Sequence, residues 1–549
     1  MASDLATNFG RFDALIVIGY LSISLVVGLA VRRFVRDMAT YIAADRSVGR
    51  WLGLASLTGT ELGLITVMYS AEKGFKGGFA AFHIALVAGI VTWLVGATGF
   101  IIVPLRRHGV LTIPEYYGKR FGRRTRILGG IMLALGGILN MGLFLKVGSM
   151  FIVGVTGMSE SGWALPLVMT ALLGLVLLYT VLGGMISVIL TDYIQFVVLA
   201  FGMLLATGLM IGHLGWDVMF STVESHMGRR GFDPLVMDGG FGPGYVAWMA
   251  LVGVVSCAVW PTSVARALAM EDERAVRSSY RWSSISFMIR FLIPYFWGIG
   301  ALVFLLTQAP DLAARFGLAA SSGAGGESID ALYAMPVFLG KLLPAGLLGL
   351  VTAAMIAAFM STHDSYLLCW ASVIVQDIVA PLRGDVATAA ERVRWTRITI
   401  VLIGAYIWAW GLFYRGGDDV WDYMAITGAV YFTGAFAVLV GGLYWPRGSS
   451  AGAFCALLAG CSAIFGLEPL RIPLGRFLLA AAGRPAGVDE ASQWLTSQRV
   501  GLGSVALTVV VFVVVSLLVP DRPESAAEDD ASMAPPPGGP RDATGEADR

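Results

Sequence analysis

Apolar stretches of about 20 residues recur along this chain from Asp13 to Pro520, and each is long enough to cross a hydrocarbon core of ~30 Å as a helix. Of the 549 residues, 57% are hydrophobic and only 14% are charged, which is too little charge to cover the surface of a soluble protein. The stretches are also longer and more uniformly apolar than the alternating strands of an outer-membrane barrel. The sequence therefore predicts an all-α membrane protein.

We predict about 13 transmembrane helices, and the basic residues between them predict their orientation. The connections after the first, third, seventh and ninth spans are rich in arginine and lysine, whereas the alternate connections hold fewer, apart from residues 469–498. This asymmetry predicts a multi-pass protein of the cytoplasmic membrane with its N-terminus outside and its C-terminus in the cytoplasm. The predicted spans lie near residues 13–31, 51–72, 79–104, 127–156, 163–183, 186–212, 245–270, 282–307, 345–376, 396–414, 420–445, 451–468 and 499–519.

Two of these spans carry residues that interrupt a membrane helix. The second span places Gly59, Glu61 and Gly63 at its middle, which indicates an unwound segment with a carboxylate at bilayer depth. The seventh contains Pro261 and Thr262, and proline removes a backbone donor and clashes with the preceding turn. Either feature alone is compatible with a tolerated kink. Because the two spans are five apart, together they predict inverted five-helix repeats with a binding site at the breaks.

This pattern divides the chain into five predicted segments. Residues 520–549 are rich in acids, proline and glycine, which is typical of a disordered tail. The formal net charge of +1 gives no indication of a nucleic-acid partner. The segments are an N-terminal flanking helix and basic cytoplasmic loop (1–50), a first inverted repeat (51–212), a second inverted repeat with extracytoplasmic loops (213–445), two C-terminal flanking helices (446–519) and an acidic cytoplasmic tail (520–549).

The ninth span carries a stripe of hydroxyl side chains. Ser361, Thr362 and Ser365 follow Ala358 at helical spacing, so all four lie on one face, and Asp364 lies beside them. Hydroxyl and carboxylate oxygens together suit a hard cation such as Na⁺. Alternatively, the hydroxyls bond back to their own helix and pack against a neighbour, but Asp364 would still need a partner.

Other charges lie within the predicted spans. Lys146 and Arg290 are the candidates to neutralise Glu61 or Asp364, and the sequence leaves that pairing open. If Glu61 has no such partner, it favours a solute that bears an ammonium group; if it is neutralised, that inference fails. No constellation of nucleophile and base or of metal ligands indicates an enzyme.

Three motifs in register resemble the sodium:solute symporter family, which includes bacterial proline and galactose sodium symporters. Residues 179–195 read YTVLGGMISVILTDYIQ, residues 112–117 read TIPEYY, and Ser361, Thr362, Asp364 and Ser365 follow in the ninth span. The resemblance extends over residues 13–445. It implies a LeuT-type fold of two inverted five-helix repeats with flanking helices.

The resemblance also implies the site residues. The implied sodium ligands are the backbone carbonyls of Gly59, Leu62 and Ala358 and the hydroxyls of Ser361 and Thr362. A second cation or proton site would use Asp192, Asp364 and Ser365, with Ser361. The implied solute contacts are Glu61, Thr66, His83, Ser256, Trp260 and Thr427.

From these observations we predict sodium-coupled symport of a small organic solute by alternating access, with sodium as coupling ion and no cofactor. The predicted partners are the solute, sodium and the lipid bilayer, and the oligomeric state stays open. Two alternatives remain. One is proton coupling through Glu61, Asp364 or His363, and the other is a membrane sensor of the same fold that binds a solute without moving it.

Overall fold

Every element that the computed structural model describes is helical, as predicted. It describes residues 7–31, 53–54, 57–58, 61–158, 163–237, 241–318, 329–384, 387–414, 419–484 and 487–521, without the side chains of residues 25, 27–31, 179 and 182–194. The first half forms α1 (Arg11–Val31), α2 (Leu64–Gly77), α3 (Phe82–Thr98), α4 (Ile102–Arg107), α5 (Ile113–Phe121), α6 (Arg123–Met141), α7 (Phe144–Thr156), α8 (Ala164–Leu214) and α9 (Trp216–Met227).

The second half continues the helical architecture, with a π-helical turn at Ile374–Val379. It forms α10 (Pro243–Ala258), α11 (Pro261–Ala269), α12 (Glu273–Gln308), α13 (Pro310–Arg315), α14 (Ala334–Leu342), α15 (Leu347–Val373), α16 (Ala380–Leu382), α17 (Ala389–Phe413), α18 (Val420–Tyr444), α19 (Ser450–Gly460), α20 (Glu468–Ala481), α21 (Val488–Trp494) and α22 (Ser497–Leu518).

Within the described residues, nine helical segments are long and apolar enough to cross a membrane, or ten if a bent pair is one span. The bent pair is Ser450–Gly466 with Glu468–Ala481, which meet at 90°. The predicted spans 51–72 and 79–104 contribute to one apolar helical stretch, Leu64–Thr98. Gly59 and the acidic tail from residue 522 lie outside the described residues, so predictions that fall on them stay predictions.

Two details of the predicted span pattern were wrong. The predicted link between spans five and six is absent because the backbone of α8 runs as one helix of 51 residues. Glycine at 183 and 184 keeps its backbone donor, so the helix continues where a proline would have broken it. Residues 469–498, predicted as a loop between the last two spans, instead contain most of α20 and all of α21.

The helices with the two predicted breaks belong to one bundle. Helix α12 packs along α2 and α3, and α10 packs against α3. Glycines allow the close approach of α2 and α12: a Cβ on Gly298 would lie 1.9 Å from the carbonyl oxygen of Ala71, and one on Gly74 would lie 2.1 Å from that of Tyr295. Helix α15 packs on α8 and also contacts α2 and α11, so it lies beside both breaks.

The first helix anchors the start of α15 through one buried acid. Asp13 in α1 is fully buried, and its Oδ1 accepts hydrogen bonds from the backbone N–H groups of Gly346 and Gly349 at 2.7 and 2.6 Å. Its Oδ2 accepts a third from Gly10 at 2.8 Å. These N–H groups at the start of a helix have no partner within it, and a carboxylate there also interacts favourably with the helix dipole. This contact fixes the helix that carries the hydroxyl stripe.

Candidate sodium and solute site

The first predicted break is present immediately before α2. Gly63 has φ −78° and ψ 157°, an extended conformation, and its carbonyl accepts from the N–H of Val67 in the first turn of α2. A Cβ on Gly63 would lie 2.2 Å from Oγ1 of Thr362 in α15. The unwound segment therefore contacts α15 at a residue that the sequence predicts as a sodium ligand.

The second predicted break separates α10 from α11. Helix α10 ends at Ala258, and Trp260 has an extended conformation with φ −67° and ψ 126°. Pro261 is then the first residue of α11. Proline fits this position because the first N–H of a helix has no partner within the helix. The proline therefore restarts a helix here, and the interruption predicted from the sequence is confirmed.

One carboxylate connects the two breaks. Oε1 of Glu61 accepts hydrogen bonds from Oγ1 of Thr262 at 2.9 Å and from Oγ of Ser263 at 2.8 Å, at the start of α11. Nη1 of Arg290 in α12 lies 3.2 Å from Oε2 of Glu61 and donates to the backbone carbonyl of Glu61 at 2.9 Å. Glu61 and Arg290 are only 9% and 6% exposed, so water screens this pair little.

Arg290 therefore neutralises Glu61, and the other candidate, Lys146, does not. Nζ of Lys146 donates to the backbone carbonyl of Tyr414 at 2.8 Å. The sequence favoured an ammonium-bearing solute only if Glu61 had no partner of opposite charge. That condition is not met, so the inference fails.

The predicted sodium ligands that the structure describes lie in the first break and on α15, the helix that the break contacts at Thr362. Leu62 is in the break itself, and Ala358, Ser361 and Thr362 are buried in α15. Gly59 lies outside the described residues. Backbone carbonyls from an unwound segment and hydroxyls from a facing helix are oxygen ligands of the kind that a sodium ion requires.

An arginine lies at the predicted second cation or proton site. Oγ of Ser365 accepts from Nη2 of Arg266 at 2.6 Å and donates to Oδ1 of Asp364 at 3.2 Å. Arg266 is 3% exposed, and Asp364 and Ser365 are buried. The side chain of Asp192 lies outside the description. The sequence did not predict that Arg266 would bring a positive charge to this position.

A cavity of about 90 Å³ lies between the two breaks, and Thr362 is part of its wall. It brings together four of the six predicted solute residues, Glu61, Thr66, Ser256 and Trp260. Aromatic side chains form much of the rest of the wall. The other lining residues are Ile65, Tyr69, Asn140, Phe144, Val252, Val255, Arg290, Phe291, Tyr366, Trp421, Met424, Ala425, Gly428 and Phe432.

The remaining two predicted solute residues do not line this cavity. Thr427 donates to the backbone carbonyl of Tyr423 at 2.8 Å and accepts from Nδ2 of Asn140 at 3.2 Å. His83 is bonded through Nδ1 to the carbonyl of Ala80 at 2.6 Å. Its ring packs against Phe241, with 5.1 Å between centroids.

Sequence reasoning missed Asn140 and most of the aromatic wall. Asn140 is a buried amide in an otherwise apolar stretch of α6, and a polar side chain at that depth is a signal that could have been used. Aromatic residues gave no such signal, because they are common on every face of membrane helices. Only the tertiary packing shows which of them face the cavity.

Charged residues connect α2 to the start of α18, one to two turns beyond the cavity. This charge cluster consists of Glu72, Lys73, Lys76, Asp419 and Asp422. Nζ of Lys73 lies 3.0 Å from Asp419 and 3.6 Å from Asp422, and Nζ of Lys76 lies 2.6 Å from Asp419 and 2.7 Å from Glu72. Burial raises the pKa of the Asp419 carboxyl, but the two lysines outweigh burial and hold that pKa below its usual value.

Aromatic contacts flank the cavity on both sides. Toward the charge cluster, the rings of Tyr69 and Trp421 are 4.5 Å apart. On the other side, Nε1 of Trp260 donates to the hydroxyl of Tyr366 at 2.9 Å, and Trp370 packs edge-on against both rings. The cavity thus lies between two aromatic layers.

A family model described as the sodium:solute symporter family matches residues 41–460, most of the chain. The chain belongs to the sodium:solute symporter family. Among similar proteins, the sodium/glucose cotransporter of Vibrio parahaemolyticus is 24% identical over 481 residues, which cover 83% of this chain and 85% of that protein. The human sodium/myo-inositol cotransporter is 26% identical over 530 residues, which cover 87% of this chain and 69% of that protein.

The solved structures confirm the LeuT-type fold. A Na⁺-coupled sialic acid symporter, in a substrate-bound outward-open state, matches with a TM-score of 0.74 at 18% identity, over 93% of this chain and 99% of that one. A nucleobase-cation-symport-1 family transporter matches with a TM-score of 0.52 at 12% identity, over 90% and 98%. This chain is therefore a multi-pass transporter that couples sodium to a small organic solute.

Proposed function

We propose that sodium binds between the first break and α15, and that the solute binds beside it in the aromatic-walled cavity. The single observation that carries this proposal is the position of Thr362, which contacts the break at Gly63 and also lines the cavity. The sodium ligands would be the carbonyls of Gly59, Leu62 and Ala358 and the hydroxyls of Ser361 and Thr362. An ion and a solute that share one wall residue each complete part of the other's site, which couples their binding.

The solute that best fits this cavity is neutral and carries hydroxyl groups. The charges of Glu61 and Arg290 cancel, so the wall offers no net charge to attract an ion. Thr66, Ser256 and Asn140 supply polar groups, and the aromatic rings can pack against the apolar face of a sugar or cyclitol ring. The names of similar proteins, which include cotransporters of glucose, mannose and myo-inositol, support this class.

Transport would follow an alternating-access cycle in the cytoplasmic membrane, with the N-terminus outside. Sodium would join the broken helix to α15 and favour the state open to the outside, and solute binding would let the bundle rock against α15 and its neighbours. The charge cluster and the Tyr69–Trp421 layer would open on the outer side. The Trp260–Tyr366 layer would open on the inner side.

The second candidate cation or proton site at Asp192, Asp364 and Ser365 stays a prediction. Arg266 already brings a positive charge to Ser365 at this position.

A thermal-shift screen of the purified protein tests the solute class. The panel is D-glucose, D-mannose, myo-inositol, proline and sialic acid, each in sodium chloride and in potassium chloride of equal concentration. A ligand that binds only the folded state at 100 times its Kd adds about 2.7 kcal/mol of apparent stability. We expect stabilisation by one or more of the neutral hydroxylated compounds, and only in sodium. Stabilisation by proline or sialic acid alone would contradict the proposed class.

The two alternatives give different results in proteoliposomes. A proton-coupled transporter would accumulate the selected solute under an inward pH gradient without sodium. A sensor would bind the solute but show no exchange of external for internal solute. We expect accumulation that requires a sodium gradient, together with measurable exchange.

A further inference from the structure

Glu61 occupies a position that connects three elements at once. It directly precedes Leu62, a proposed sodium ligand, and its carboxylate accepts from Thr262 and Ser263 at the start of α11. Arg290 of α12 contacts both the carboxylate and the backbone carbonyl of Glu61. The conformation of the backbone next to the sodium position therefore depends on α11 and α12.

Arg290 is itself held by the wall of the solute cavity. Its guanidinium lies 3.9 Å from the ring centre of Phe287 and 4.6 Å from that of Phe291. Phe291 and Arg290 both line the cavity, and Phe291 packs against Trp421 of α18 with 6.1 Å between centroids. A solute that moves this wall also moves the guanidinium, and with it the backbone at Glu61.

We propose that Glu61 and Arg290 are a positioning pair that holds the unwound segment in its sodium-binding conformation and transmits the state of the solute cavity to it. This inference rests on the proposed sodium site and deepens it. The pair acts through the backbone of residues 61 and 62, and its carboxylate is not itself a sodium ligand. Separating a buried ion pair leaves each charge without its partner, which costs much free energy. Glu61 and Arg290 therefore move together.

Charge alone and positioning make opposite predictions for one variant. Arg290→Gln removes a positive charge near the sodium site, and if only charge mattered this loss would tighten sodium binding. If Arg290 positions the backbone, the same variant weakens sodium binding. Glu61→Gln weakens it under either account, so Arg290→Gln is the variant that decides between them.

The experiment titrates purified full-length protein with sodium chloride, in potassium chloride that keeps the ionic strength constant, and follows the melting temperature. We expect Glu61→Gln and Arg290→Gln each to raise the half-saturating sodium concentration by about tenfold or more. The neutral double variant should bind sodium better than either single variant, since no buried charge is left unpaired. Lys146→Gln is the control: it removes another positive charge within the membrane helices, which is partly buried and donates to the carbonyl of Tyr414, and it should leave the half-saturating concentration within about twofold of the unchanged protein.

Three results overturn the inference. They are tighter sodium binding by Arg290→Gln, an unchanged half-saturating concentration in both single variants even if their melting temperatures fall, and a double variant that is worse than both singles. If Arg290→Gln does not fold, Thr262→Val with Ser263→Ala removes two donors to Glu61 without changing the charge, and an unchanged sodium affinity there overturns it instead. If the unchanged protein shows no sodium-specific stabilisation, the proposed sodium site fails before the pair is tested.

Discussion

The contact between Gly63 and Thr362 predicts the effect of a single methyl group. A Cβ on Gly63 would lie 2.2 Å from Oγ1 of Thr362, far inside van der Waals contact, although the backbone conformation of Gly63 is open to alanine. We expect Gly63→Ala to displace the unwound segment from α15 and to abolish most sodium-driven uptake. The matched control is Gly208→Ala, since a Cβ there meets nothing within 4 Å. Normal uptake by Gly63→Ala would show that the close contact is not needed.

At the scale of single residues, the sequence showed which side chains are unusual in a membrane helix, but it did not show which residues they contact. Glu61 and Pro261 stand out because a carboxylate and a proline are expensive in a membrane helix, whatever surrounds them. The partner of Glu61 could not be chosen between Lys146 and Arg290, because each is a lone charge in an apolar span. Only packing brings Arg290 to within 3.2 Å of it, from 229 residues away. Asn140 and Arg266 were likewise placed at the site by the fold.

At the scale of elements, the charge cluster predicts how firmly α2 is held to α18. Lys73 is 8% exposed and lies between Asp419 and Asp422, so Asp419→Asn leaves a buried ammonium with one carboxylate at 3.6 Å. Because Asp419 is itself partly exposed, we expect a loss of about 1–3 kcal/mol of stability. The measurement is the melting temperature in detergent.

The control for this prediction is an exposed ion pair between an arginine and an aspartate. Arg229 lies 2.8 Å from Asp233 with its side chain 82% exposed, so Arg229→Gln should leave the melting temperature unchanged. Equal melting temperatures for Asp419→Asn and Arg229→Gln would mean that the charge cluster does not hold the two helices together.

The helix breaks were predictable because they lie at residues that alter the backbone whatever surrounds them. Both breaks were found because Pro261 and the glycines around Glu61 act locally. The length of α8 and the helices in residues 469–498 were missed because their ends depend on glycine tolerance and on packing rather than on any obligatory stop. Hydropathy finds helices that face lipid, but it does not show whether two neighbouring apolar stretches are joined by a continuous helix.

At the scale of the whole molecule, hydropathy and the spacing of the two breaks predicted an all-helical membrane protein with inverted repeats, and the family resemblance implied the LeuT-type fold, with which the solved structures agree. The solute was not predictable to the same degree. Its cavity is built from side chains on several helices, and most of them are aromatic or aliphatic residues without a sequence signal. The neutralisation of Glu61 also depends on tertiary contacts, and it removes the condition under which the sequence favoured a solute with an ammonium group.

The most direct test of the account is solute uptake into proteoliposomes driven by a sodium gradient, in the unchanged protein and in Ser361→Ala/Thr362→Ala. The control is Thr352→Ala, which removes a hydroxyl on the same helix that bonds only to the carbonyl of Leu348 in the described contacts. The account predicts that the unchanged protein and the control accumulate the solute only with a sodium gradient, and that the double variant loses sodium dependence. Undiminished sodium dependence in the double variant would contradict the assignment of the sodium site.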